Sequence, residues 1–587
     1  MALMIESKTA VRIYDNSNLA ESYAGAVAPL TTSFANSLYE GVYRHFTSFM
    51  GVSTADQHRH EAMFSQMVVS IGYHLYYDLQ NWYTLVSLLP GYAYNKSFFE
   101  HMLGIPPGAG VVVPSHAKRK KVRKALSSTR LVVQLAKIAL VFCAMPILVA
   151  RFNRRFDQVF KQLSGMKLAE LDYKELCNHY QNMRRDLVRL WRVPIANDFA
   201  VMVSTGIARS LYKKWALDDE FVTRLTLLSR ASLSTLDPGR LLVKMKKQSA
   251  TDATISALLE SQTTAKEVYK RLCREHADTV CVKSIIAYIA QYGSRVPNEL
   301  KLEAATLHEE PEHIVTMLRA IGNTDSDLFQ NRVAGGVGYV PLRIPVQGFW
   351  KQKLLAWMLG WARASIRRRE ETRLRRTQIF GHARQVFLAT GQHLMNEGII
   401  ASTADVMFLT AQELCAADAT FLWRTRIDER KKNMSRWEQI SMPTRIESAD
   451  SIQEIEKKIF STSVASVSAT TPHLLRGVVA SRAGRTTVSG KVLVLREFDH
   501  NADFRDRILV TRHTDPGWTV VFPLVRAIVV ERGGILSHAS IVAREMGIPC
   551  LIGVSTATTD IPQNAEIDIN LIDGLLSIRD ASRVTIT

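Results

Sequence analysis

The residues with the most chemical promise lie near the C-terminal end, in Glu531-Arg532-Gly533-Gly534-Ile535-Leu536-Ser537-His538-Ala539-Ser540-Ile541-Val542-Ala543-Arg544-Glu545-Met546-Gly547-Ile548-Pro549. A neutral imidazole is a nucleophile near physiological pH. The start of a helix offers free N–H groups and the positive end of its dipole, and both favour an anion. Ser537 suits an N-cap, which puts His538 in the first helical turn. Gly533 and Gly534 permit the bend before it. Gly533, Gly534 and Ser537 are therefore the candidate phosphate-binding turn, and His538 is the candidate carrier of a phosphoryl group. On the residues alone, a glycine hairpin whose histidine only caps or packs accounts for the stretch equally well.

A second constellation sits in the basic run from Arg363 to Arg376. Arg369 and Arg373 are four apart, so on a helix they share one face with Glu370 beside them. Two guanidinium groups so placed can bracket a phosphoryl group with forked hydrogen bonds. A solvated basic face is the plainer account of such a run.

The elements that must position these groups can be read from apolar periodicity. Ala527–Val530 is a short β-branched run that reads as a buried strand, and Cys550 to Val554 reads as the next one. Between them Ile541, Val542 and Met546 give a helix its apolar side; Gly547 closes it and Pro549 prevents its continuation. Residues 1 to 470 read as mainly helical. The segment 461–472, rich in Ser, Thr and Ala and without charge, reads as a flexible linker. The expected fold is multidomain: a large, mainly α-helical domain over 1–460 and a small C-terminal α/β domain over 473–587.

A chain of 587 residues implies two to four domains. Its net charge of +19 suggests anionic partners, with ordinary solvated helix faces as the alternative. The six cysteines are scattered without CxxC or zinc spacing, which points to a reduced, cytoplasmic protein without a disulfide framework. The opening residues Met1 to Lys8 contain no apolar h-region, so no secretory signal is expected there. The apolar run Leu131 to Ala150 contains Lys137, Gln134 and Pro146 and falls short of a membrane span, so a buried helix is expected there. The basic cluster from Lys118 to Lys124 leaves a membrane-surface role as a minor reading.

Gly533-Gly534-x-x-Ser537-His538-Ala539, with Ile541-Val542-Ala543-Arg544-Glu545-Met546-Gly547-Ile548-Pro549, closely resembles the phosphohistidine swivelling domain of the PEP-utilising enzymes. Ile508-Leu509-Val510, Thr514-Asp515-Pro516-Gly517-Trp518, Gly490-Lys491-Val492 and Asp573-Gly574 extend the resemblance over about 100 residues. It implies that His538 is the phosphorylated residue. Arg369-Glu370-x-x-Arg373 resembles a family motif that meets the phosphohistidine, with arginine where lysine is usual. Tyr292-Gly293-Ser294-Arg295-Val296-Pro297-Asn298-Glu299-Leu300-Lys301 resembles another. There Gly293, Arg295 and Glu299 persist, while Lys301 replaces an acidic residue and the usual histidines are missing. In this reading Arg295 binds an anion, and Glu299 is a base or the partner of Arg295. The stretch Tyr14 to Gly25 resembles the opening of the family's central domain and makes Asn18 and Glu21 candidates for the substrate cleft, a plain loop being the alternative.

The resemblance further implies a phosphotransferase of dikinase type. Its Mg²⁺ and ATP would belong to a separate ATP-grasp partner, with none bound by this chain, because the resemblance begins at the central domain. A small-molecule acceptor would bind the helical domain; no nucleic acid is expected. A phosphorylation-driven condensing enzyme, or a binding module that has lost phosphotransfer, are the alternatives.

Overall fold

The computed structural model describes residues 11–17, 19–89, 124–215, 237–321, 346–416, 422–440, 442–463, 474–499, 502–534 and 537–579. They form two compact units. The first comprises Met1–Phe199, Lys301–Glu303 and His382–Ser468, and the second Ala200–Leu300, Ala304–Gly381 and Ala469–Thr587. The C-terminal α/β segment thus shares a unit with helices that the sequence assigns to the helical domain. Of the expected linker, 461–463 end the helix Ile452–Ser463 and 464–472 lie outside the described residues, as does the basic run 118–123.

The first unit is helical but holds a sheet that apolar periodicity does not reveal. Strands β1 (Arg12–Asp15), β2 (Val68–Ile71), β3 (His74–Asp78) and β4 (Arg445–Ser448) pair antiparallel in the order β2-β3-β1-β4. The aromatic stretch that follows Tyr73 is β3 and then the helix Leu79–Ser87. Asp78 makes the switch. Its carboxylate accepts from the amides of Gln80 and Asn81 and so caps the helix. It also pairs with Arg12 at 2.8 Å.

The expectation of a buried helix over 131–150 is corrected. The helix Lys124–Ser164 does bury Ile138, Met145 and Phe152, but Val133, Leu140 and Ile147, each two turns apart, are 66%, 70% and 58% exposed. Within it Ala136–Ser164 is long and apolar enough to cross a membrane, by length and composition. The sequence contained the apolar run but not which side of it the neighbouring helices would cover.

The second unit carries the eight-stranded sheet β5-β12-β11-β7-β8-β9-β10-β6. Its strands are β5 (Leu474–Arg476), β6 (Val478–Ser481), β7 (Thr487–Leu495), β8 (Ile508–Thr511), β9 (Ala527–Val530), β10 (Cys550–Ile552), β11 (Glu566–Asn570) and β12 (Leu575–Ile578). Neighbours from β7 to β10 run parallel, and the others antiparallel. Every residue of β8 and β9 is buried, as central parallel strands require. One face of the sheet is covered by its own loops and strands around Val492, Val510, Val529 and Ile567. The other joins a core with helices Val280–Tyr292, His313–Ala320 and the early turns of Phe349–Asn396.

Candidate functional site

The site follows from that topology. Strands β8 and β9 are parallel neighbours, so the segments leaving their carboxyl ends emerge side by side. After β8 comes Thr514-Asp515 and the short 3-10 helix Pro516–Val520, and after β9 the glycine turn and the helix His538–Glu545. Ser537 is the N-cap, accepting from the amide of Ser540 at 3.3 Å, and His538 is the first helical residue. Gly533 turns at φ 140°, and the Gly534 carbonyl accepts from the Ser540 hydroxyl at 2.9 Å. The next strand is shorter than expected and stops at Ile552.

His538 is 2% exposed. Its Nε2 lies 3.0 Å from the Thr519 hydroxyl, the contact that β8 and β9 deliver. Its Nδ1 faces Glu370 at 3.7 Å, an ion-pair distance rather than a hydrogen bond. On the helix Phe349–Asn396, Ile366, Glu370, Arg373 and Thr377 fall on one face at helical spacing, and Arg373 pairs with Glu370 at 3.4 Å. Arg295 lies against the same group: its guanidinium reaches the Thr377 hydroxyl at 3.5 Å and the Glu299 carboxylate at 3.6 Å.

The charges are unusual for a place so far from water. Burial pushes the His538 imidazole down to about 4, against the opposing pull of Glu370. The ring is therefore neutral at pH 7. Burial works to raise Glu370, but Arg373 foremost, with His538 and Arg369, holds it well below the usual carboxylate range. Asp515 goes the other way, pushed up to about 7 by burial and by the nearby Glu299. Both oxygens of Glu299, the His538 Nδ1 and the Thr514 hydroxyl are buried without a hydrogen-bond partner among the described residues. Such atoms are costly to bury and accumulate where a polar group is to be received.

Of the candidate residues, His538, Glu370, Arg373, Arg295 and Glu299 come together, with Arg369 acting on Glu370 through its charge. Gly533, Gly534 and Ser537 shape the turn and cap that present the ring. Asn18 and the Glu21 side chain lie outside the described residues. Lys301, the residue that departs from the motif, belongs to the first unit, where it donates to the Ala26 carbonyl at 2.9 Å. Thr519 and Asp515 were not singled out from sequence. The only signal was their place in and beside the Thr514 to Trp518 stretch.

Residues 504–574 match the family described as "PEP-utilising enzyme, mobile domain". The chain carries that mobile domain. Residues 195–370, a range that holds Arg295, Glu299, Arg369 and Glu370, match the family described as "Rifampicin phosphotransferase fourth domain". Among similar proteins, rifampicin phosphotransferase of Streptomyces sviceus is 26% identical over 311 residues, covering 50% of this chain and 34% of that protein. The Bacillus subtilis enzyme of the same name is 26% identical over 308 residues, with the same coverage of 50% and 34%. Phosphoenolpyruvate synthase of Helicobacter pylori is 40% identical over 87 residues, 15% of this chain and 11% of that protein. The chain thus spans about a third of the length of the rifampicin phosphotransferases that it matches.

Proposed function

We propose that this chain is a phosphotransferase component in which His538 receives a phosphoryl group from a separate ATP-grasp protein and passes it to a small-molecule acceptor. In the charging step, ATP and water give AMP, inorganic phosphate and the N-phosphorylated ring, with release of two protons. In the delivery step the N–P bond breaks as the acceptor's nucleophilic atom bonds to phosphorus; the electron pair stays on the ring nitrogen, and the acceptor's proton passes by way of Glu299 or Glu370 to the ring, restoring the neutral imidazole. Arg369, Arg373 and Arg295 offset the charge spread over the transferring oxygens. The glycine turn and the helix start present backbone N–H groups to the loaded phosphoryl group. Mg²⁺ and ATP are assigned to the partner, and no step here is routed through a metal.

The observation that carries this reading is the neutral, buried His538 set between Thr519 and Glu370, with Arg373 beside them. The test is acid-labile labelling from radioactive ATP with the ATP-grasp protein present, comparing the native chain with His538→Ala. Loss of label in the variant is expected. Label that persists removes His538 from the mechanism.

A further inference from the structure

A histidine that is 2% exposed cannot be charged by another protein where it stands, so the mobile segment must leave and return. Something must define its place on return. Residues 515–517 meet residues 296–298 in the second unit. The Asn298 amide donates to Asp515 Oδ2 at 2.5 Å, while Asp515 Oδ1 accepts from the Gly517 amide at 2.8 Å. Asn298 holds a φ of 61°, in the left-handed region that glycine and asparagine enter most readily. Gly517 lies directly against the opposing backbone. A Cβ there would sit 2.3 Å from the Pro297 nitrogen and 2.5 Å from the Val296 carbonyl carbon. Those are backbone atoms, which cannot rotate away as a side chain can.

We infer that Asp515 and Gly517 form a catch that closes on the Val296–Asn298 loop and holds the mobile domain where His538 faces Arg373 and Glu370. The inference rests on the phosphoryl-carrier reading, because only a domain that departs needs a catch. Position and chemistry are joined through one short element. Asp515 caps the 3-10 helix Pro516–Val520, and that helix carries Thr519, whose hydroxyl meets His538 Nε2. Closing the catch therefore also sets the ring. Asp515 and Gly517 are positioning residues; neither touches the reacting atoms.

The experiment uses the full chain and diethyl pyrocarbonate, which modifies accessible imidazoles and needs neither partner nor acceptor. Modification of His538 is followed by peptide mass spectrometry, with His382, 4% exposed in the other unit, as a sensor of general unfolding. At pH 8, above the Asp515 value of about 7, losing a hydrogen bond to the then charged acceptor shifts an opening equilibrium by roughly tenfold to a hundredfold. Gly517→Ala and Asn298→Pro should accelerate modification of His538 by that factor and leave His382 slow. Asn298→Gly, which keeps both the N–H and the positive φ, should behave as the native chain. An unchanged rate at His538 in both disruptive variants overturns the catch. So does an equal rise at His382, because the loop would then serve folding rather than docking. Failure of the labelling experiment with a positive result here would leave a docking domain without phosphotransfer, so the two ideas fail separately.

Discussion

His538 and Asp515 have been moved in opposite directions by the same environment. Burial disfavours the charged form of each, which lowers the imidazole to about 4 and raises the carboxyl to about 7. The site thereby keeps a neutral imidazole at pH 7, with no charged ring beside three arginines. The consequence for stability has a definite sign. The folded value of His538 lies below its ordinary 6.5, so its contribution is fully present above pH 6.5 and is lost as pH falls toward 4. Urea unfolding across that window should show native stability falling more steeply than that of His538→Gln. Parallel curves would mean that the ring is not depressed. Asp515 contributes in the opposite sense, being most favourable below 3.8 and losing its contribution as pH rises through about 7. The variant comparison cancels that background.

Among the elements, what the sequence revealed was local. The glycine bend, the serine cap, the strand before His538 and the helix after it are written in adjacent residues, and each lies where it was expected. Thr410 likewise caps Ala411–Cys415 with a reciprocal bond from Glu413. What stayed hidden was long-range. The bond between Asn298 and Asp515 joins positions 217 apart, and no periodicity records it. Strand β3 is not legible in the sequence because aromatic residues fill a strand face as readily as a helix face, and its partners are other strands rather than neighbours in sequence. The exposed side of Lys124–Ser164 failed for a related reason: hydropathy records composition, not which side is covered. The two sides of this helix should respond differently to truncation. Met145, fully buried, should cost about 2–5 kcal/mol on change to alanine. Leu140, 70% exposed, should change stability by no more than about 0.5 kcal/mol. Denaturant midpoints of the two variants decide it, and a large loss at Leu140 would mean that something covers this side.

On the scale of the whole molecule, the net charge of +19 acts beyond any single contact. It favours encounter with an acidic partner, and the effect fades as salt shortens the reach of the field from about 10 Å at 0.1 M to about 3 Å at 1 M. Charging of His538 should therefore slow as ionic strength rises through that range, with acid-labile label as the readout. A rate indifferent to salt would argue against steering by charge.

The order of the eight strands has a consequence of its own. Its two outermost members, β5 and β6, follow one another in the chain and are separated only by Gly477. A side chain there would strike Val554 at 2.6 Å. The sheet is thus drawn round until its margins meet at a single residue. Open margins are where sheets recruit foreign strands. If His538 is the carrier proposed above, a sheet whose margins run into one another through Gly477 leaves less open edge to foreign strands whenever the domain undocks.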